Sequence, residues 1–175
     1  MKYHAQIGAS LIEVLVAILI LSFGMLSLGT MLSYSVQAPK LAGYRATAVN
    51  LASSHIERIR VNSGGDYNVL LSYDGNSDEI EKAECSHPDC NVATLVSMDN
   101  AATKRAIRQE LPAGGMQVTC GGASCSSGDL WVIWQEPAAL EASAGESPTV
   151  LDNCPASLID FIDPQPRCLY VRFTI

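Results

Sequence analysis

The chain has 175 residues, enough for one domain of ordinary size with its own core. At 48% hydrophobic and 17% charged residues, with a mean hydropathy of +0.17, it is too apolar for wholesale disorder. Residues 1–60 carry five Lys/Arg against two Asp/Glu and residues 61–175 six against sixteen, so +3 and −10 make up the total of −7. A body this acidic is a poor counter-ion for phosphates or anionic headgroups, which excludes nucleic-acid binding.

No charged residue occurs from Val14 to Pro39, and VLVAILILSFGMLSLGTML is long enough to cross a bilayer as a helix. Three readings compete for it. A cleaved secretory signal finds a small-x-small site at Val36-Gln37-Ala38, but Pro39 would follow the cut, and Glu13 stays unexplained. A plain signal anchor must accept that carboxylate at the start of its apolar run, at a cost on the order of 2.5–3.5 kcal/mol at mid-bilayer and less near the interface. Lys2 before the span and Lys40 and Arg45 after it give little positive-inside bias.

The third reading uses Glu13. The residues Ile7-Gly8-Ala9-Ser10-Leu11-Ile12-Glu13-Val14-Leu15-Val16-Ala17 resemble the processing signature of type IV prepilins: a short polar leader ending in Gly, then five residues to a Glu inside an apolar helix. The resemblance implies that a membrane-embedded aspartic prepilin peptidase cuts between Gly8 and Ala9 and that Ala9 is N-methylated; the usual residue there is Phe. The freed amine of Ala9 would then stand four residues from Glu13, one helical turn, on the same face. A buried carboxylate is stable only with a positive partner, and among packed N-terminal helices the best one is the amine of an adjacent subunit. Glu13 is thus expected to set subunit register.

Past the span, YRATAVNLASSHIERIR places Val49, Ala52, Ile56 and Ile59 at steps of three and four, with Arg45, Arg58 and Arg60 on other faces. This reads as an amphipathic helix packing on a sheet. From about Ala9 to Val61 it would be about 80 Å long, with Gly24, Gly29, Pro39 and Gly43 as weak points. His55 reads as a solvated or packing residue. The expected organisation is a leader at 1–8, a helix at 9–61 (membrane-spanning over about 11–35, periplasmic over 36–61), and a periplasmic head at 62–175 after the turn Asn62-Ser63-Gly64-Gly65.

In the head, Tyr67–Ser72 reads as a short strand. Asp74-Gly75-Asn76-Ser77-Asp78-Glu79 alternates oxygen ligands like a calcium loop, but the sixth position holds Glu79 instead of Gly and the twelfth holds Cys85 instead of Glu. A solvated acidic turn is expected. A short helix should run from Met98 to Leu111, stopped by Pro112-Ala113-Gly114-Gly115. Strands follow at MQVTC (116–120) and LWVIW (130–134). The last strand, Cys168–Ile175, alternates Leu169, Val171 and Phe173 with Tyr170, Arg172 and Thr174, so one buried sheet face is expected. The stretch 135–167, rich in Pro, Ala and Ser, reads as a poorly ordered excursion.

All six cysteines, Cys85, Cys90, Cys120, Cys125, Cys154 and Cys168, lie in this acidic part. Their even number in a short span reads as a disulfide framework in an oxidising compartment, and their x4 spacings are not those of zinc knuckles. Fifteen connectivities are open; nearest-neighbour pairing is favoured.

No catalytic constellation is expected: His4 leaves with the leader, and His55 and His87 sit apart from any Ser or Cys partner arrangement. No cofactor and no metal are expected, and Trp131 and Trp134 read as core or sheet-face residues. The fold class is α+β, pilin-like: a long N-terminal helix on a small antiparallel sheet with disulfide-bonded loops.

SLIEVLVAILILSFGML, RATAVNLASSHIERIR, and the helix ending in LPAGG before WVIW are similar to minor pilins of the type IV pilus modification protein PilV family. That resemblance implies a structural subunit, not an enzyme, of the pilus initiation or tip complex, needed for pilus assembly, twitching motility and adhesion. Its partners would be other minor pilins and the major pilin. It would sit single-pass in the inner membrane with a periplasmic head before moving to the extracellular pilus. The extended cysteine-rich tail departs from the commonest members. The competing readings are a minor pseudopilin of a type II secretion system and a membrane-anchored periplasmic enzyme.

Overall fold

The computed structural model describes residues 10–76, 78–86, 88, 90–122, 124–136, 152–158 and 166–175. The expected cleavage between Gly8 and Ala9, His4, His87 and much of the 135–167 stretch lie outside them. The described elements are α1 (Leu11–Val61), α2 (Val92–Glu110), β1 (Gly115–Cys120), β2 (Ser127–Gln135), a 3-10 turn (Ala156–Leu158) and β3 (Pro166–Thr174). The strands form one antiparallel sheet in the order β1-β2-β3, so the class is α+β with a long N-terminal helix. The chain divides into two units, Met1–Ala42 and Gly43–Ile175.

In the first unit, the helix opens with the Ser10 carbonyl accepting the N–H groups of Glu13 (3.0 Å) and Val14 (3.3 Å). Two of its hydroxyls bond to backbone: Ser22 Oγ donates to the Ile18 carbonyl at 2.7 Å and Thr30 Oγ1 to the Ser27 carbonyl at 2.8 Å. A polar group satisfied within its own helix can sit in apolar surroundings at little cost. Pro39 lies inside α1, where it removes one backbone donor.

In the second unit, the buried stripe of α1 is Ala48, Ala52, His55 and Ile59, with Tyr44, Leu51 and Ile56 partly buried beside it. Val49, expected in the stripe, is 47% exposed. Ala52 and Ile59 lie in the stripe as expected, while Ala48 takes the place of Val49 and His55 is buried more deeply than Ile56. His55 is fully buried.

After the turn, Tyr67–Ser72 is not a full strand. It runs beside β1 with a single bridge, Val69 to Val118. Leaving out the rest of the ladder, Ser72 donates its N–H to the Met116 carbonyl at 3.0 Å and accepts the Met116 N–H on Oγ at 2.9 Å. α2 begins at Val92, well before the expected Met98, because Asn91 caps it: its side-chain oxygen accepts the Thr94 N–H at 2.9 Å.

The register places Leu130, Val132 and Trp134 of β2 on one sheet face, with Met116 and Val118 of β1 and Leu169, Val171 and Phe173 of β3. These side chains form the main core with the α1 stripe, Tyr67, Val96 and Ile107. The opposite face, expected to be solvated, is covered at one end. Ile133 and Cys168 pack there with Tyr73, Ala113 and Leu158, flanked by Leu71, Trp131 and Cys154. Leu158 is fully buried, so part of the supposed loose excursion belongs to the core. Gly128 marks a close approach in the sheet, since a Cβ there would meet the Thr119 carbonyl oxygen at 2.3 Å.

Three disulfides join neighbours in sequence: Cys85–Cys90, Cys120–Cys125 and Cys154–Cys168, with Cα separations of 5.5, 4.9 and 5.5 Å. Cys120–Cys125 clips the β1–β2 connection, and Cys154–Cys168 ties the 3-10 turn to β3. The last closes the longest loop and holds Leu158 over the second cluster. Replacing both Cys154 and Cys168 by Ala should therefore cost about 3 kcal/mol, read as a lowered denaturation midpoint. Replacing Cys85 and Cys90 together should cost less.

Candidate functional site

The first candidate surface is α1 itself. Its most apolar 18-residue window has a mean hydropathy of 2.5, and none of that window is buried within the chain. Leu11, Ile12, Leu15, Ile18, Leu19, Phe23, Met25, Leu26 and Leu32 are all more than half exposed, around every side of the helix. Fully burying one such side chain is worth roughly 1.5–3 kcal/mol, so a surface of this size calls for an apolar environment. Glu13 is the acid of the first turn and the one charge in Leu11–Pro39. There its carboxylate lies at the positive end of the helix dipole.

The second unit carries its charges in small, mostly satisfied groups. Asp99 on α2 accepts Arg58 Nη1 at 2.9 Å and Tyr67 Oη at 2.8 Å, which joins α1, α2 and the segment between them. Burial, then the hydrogen bond to Asp99, pushes the Tyr67 hydroxyl up to about 12. His55 Nδ1 lies 2.9 Å from Thr103 Oγ1, its ring meets Tyr67 edge-on, and its Nε2 is buried without a partner. A cleft of about 600 Å³ opens beside this group, lined by Ser54, Glu57, Arg58, Val61, Asn62, Leu95 and Asp99.

Arg108 of α2 has a side chain only 4% exposed. It donates to Asp74 Oδ1 at 3.2 Å, to the Asn76 carbonyl, and to the Ser72 carbonyl at 3.4 Å. The Asp74 turn is therefore held by an arginine. Asp74 also accepts the Asn76 N–H at 2.9 Å, and Gly75 supplies the positive φ of +75°. Among the described residues no group of His, Cys, Asp and Glu is arranged to hold a metal ion.

Asp152 is a second hub. It pairs with Arg45 of α1 at 3.2 Å and with Arg167 of β3 at 2.6 Å. Trp134 is buried, with its Nε1 on Glu136 at 3.2 Å. Trp131 lies on the other face, tilted against Tyr170 at 5.3 Å, and donates to the Asn153 carbonyl at 3.0 Å. Sequence pattern placed the tryptophans on a sheet but carried no signal for Asp99, Arg108 or Asp152, whose partners lie 41, 34 and 107 residues away.

No family model, curated protein or solved structure matches the chain.

Burial pushes the His55 imidazole down to about 4, against the pull of the Asp99 carboxylate and with help from the Arg58 and Lys104 cations. Between pH 4 and 6.5 the unfolded chain then binds the proton that the folded one refuses. This contribution to stability is complete above pH 6.5 and is lost as pH falls toward 4, on the order of 3 kcal/mol in all. A His55→Gln chain should lose this part of the pH dependence in denaturant titrations while remaining folded at pH 7.

Proposed function

We propose that the chain is a minor type IV pilin, a structural subunit of a pilus initiation or tip complex, and not an enzyme. The observation that carries the reading is the exposed apolar first part of α1, from Leu11 to Pro39, with Glu13 as its one acid, one turn after the Gly8-Ala9 junction. In this reading a peptidase removes residues 1–8, and the stretch from about Leu11 to Ser35 rests in the inner membrane. It leaves the bilayer when neighbouring helices replace the lipid.

Glu13 then pairs with the amine of Ala9 on an adjacent subunit, since a carboxylate in apolar surroundings needs a cation within hydrogen-bonding reach. The disulfides suit an oxidising compartment, and the helix continuing into a small α+β unit suits a pilin-like layout. The second unit supplies the surface that selects partners, other minor pilins and the major pilin.

Intact-mass measurement of the membrane-extracted chain tests the reading directly. The expected product lacks residues 1–8, carries one extra methyl group, and gains two hydrogens for each of the three disulfides on reduction. A product still beginning at Met1 overturns it. A Glu13→Val chain should be cut normally but fail to enter sheared pili; normal incorporation would refute the register role.

A further inference from the structure

The two edges of the sheet are finished differently. In β1 the groups pointing away from β2 belong to Met116, Val118 and Cys120, and residues 68–72 meet all three. Val118 and Val69 exchange both hydrogen bonds, at 3.0 and 3.1 Å. Met116 is bonded to Ser72, and the Cys120 N–H donates to Asn68 Oδ1 at 2.8 Å. That edge is closed.

β3 is the other edge. The Ile175 N–H donates to the Ser126 carbonyl at 2.8 Å, which by the alternation of an antiparallel ladder turns the odd-numbered residues of β3 toward β2. Cys168, Tyr170, Arg172 and Thr174 therefore face outward. The Cys168 N–H is met by Asp152 Oδ2 at 3.4 Å. Among the described residues, no backbone bond closes the outward groups of Tyr170, Arg172 and Thr174. The strand pairs one to one with β2 over nine residues, without a bulge, and its one proline is its first residue, Pro166. Natural sheets usually blunt an edge of this kind.

We propose that the outer edge of β3 is an acceptor for an extended segment of a different polypeptide, which adds as a fourth strand. Alternating donors and acceptors at strand spacing are matched by an extended backbone and by little else. The side chains beside the edge state what the segment carries. On the core face it would lie along Leu169 and Val171, which are only partly buried, and Ile175, which is 38% exposed, so apolar residues belong there.

On the other face it would lie along Tyr170 and Arg172. Arg172 gives Nε and Nη2 to Asp129 and keeps 74% of its side chain exposed, so a carboxylate fits beside its remaining nitrogen. A second copy of β3 is a poorer occupant, because antiparallel pairing would bring two such Arg-bearing edges together. The inference stands on the sheet alone and does not require the filament reading.

The test is site-resolved amide exchange of the full chain in detergent micelles, with an acetylated peptide Thr-Val-Glu-Val-Glu-Val-Thr added at millimolar concentration. Exchange at Tyr170, Arg172 and Thr174 should slow by about tenfold or more, and a peptide with Lys in place of Glu should act more weakly. Tyr170→Pro removes an outward N–H without breaking a bond to β2 and should abolish the effect. Arg172→Glu keeps the backbone intact and should reverse the preference between the two peptides. Unchanged exchange at these amides, or protection that persists in the Tyr170→Pro chain, overturns the proposal. Protection that grows with protein concentration in the absence of peptide assigns the edge to a second copy and overturns the choice of occupant.

Discussion

The side chains from Leu11 to Val36 surround their helix with apolar surface that stands exposed among the described residues, and that exposure is the first constraint on the molecule. At roughly 25 cal/mol per Å² the cost of wetting such a surface is far above the net stability of a domain this size. By length and composition the segment is a helix that could cross a membrane. Its polar groups are adapted to this. Ser22 and Thr30 close on their own backbone, and Glu13 sits in the first turn, at the positive end of the helix dipole.

The second unit solves a different problem, how to hold a three-stranded sheet with little core of its own. Small sheets need an element packed across them. Here the stripe Ala48, Ala52, His55 and Ile59 takes that place on one face, with alanines allowing close approach. Among the described residues the other face is covered at the Ile133–Cys168 end, beside the Cys154–Cys168 disulfide. Three bonds clip three connections, which suits a unit whose loops carry few apolar residues.

Charge is used as a fastener more than as a field. Asp99 joins α1, Tyr67 and α2, and Asp152 joins α1 to β3 beside Cys154–Cys168. Arg108 threads the Asp74 turn onto α2. In each case a charge accepts or donates several bonds across distant segments, which gives geometric specificity even where the net energy is modest. His55 belongs to the same set, as a neutral ring held between two helices.

Local pattern alone determined the N-terminal apolar helix, the amphipathic run after it, the three strands and the use of cysteines, because hydrophobic period and turn residues act over a few positions. It also placed Trp131 and Trp134 on strands. Tertiary structure decided the rest. Whether Ala48 or Val49 faces inward depends on what the helix closes against, which residue size alone does not reveal. The single bridge at Val69 depends on where the chain returns, whereas the cap at Asn91 is a local bond across three residues that the sequence pattern could have signalled. Leu158 looks like loop until the Cys154–Cys168 bond, between cysteines fourteen residues apart, holds its segment against the sheet. The burial of His55 and Arg108 likewise follows from partners 48 and 34 residues distant. A sequence carries the short-range terms explicitly, whereas contacts between remote segments exist only once the chain has folded.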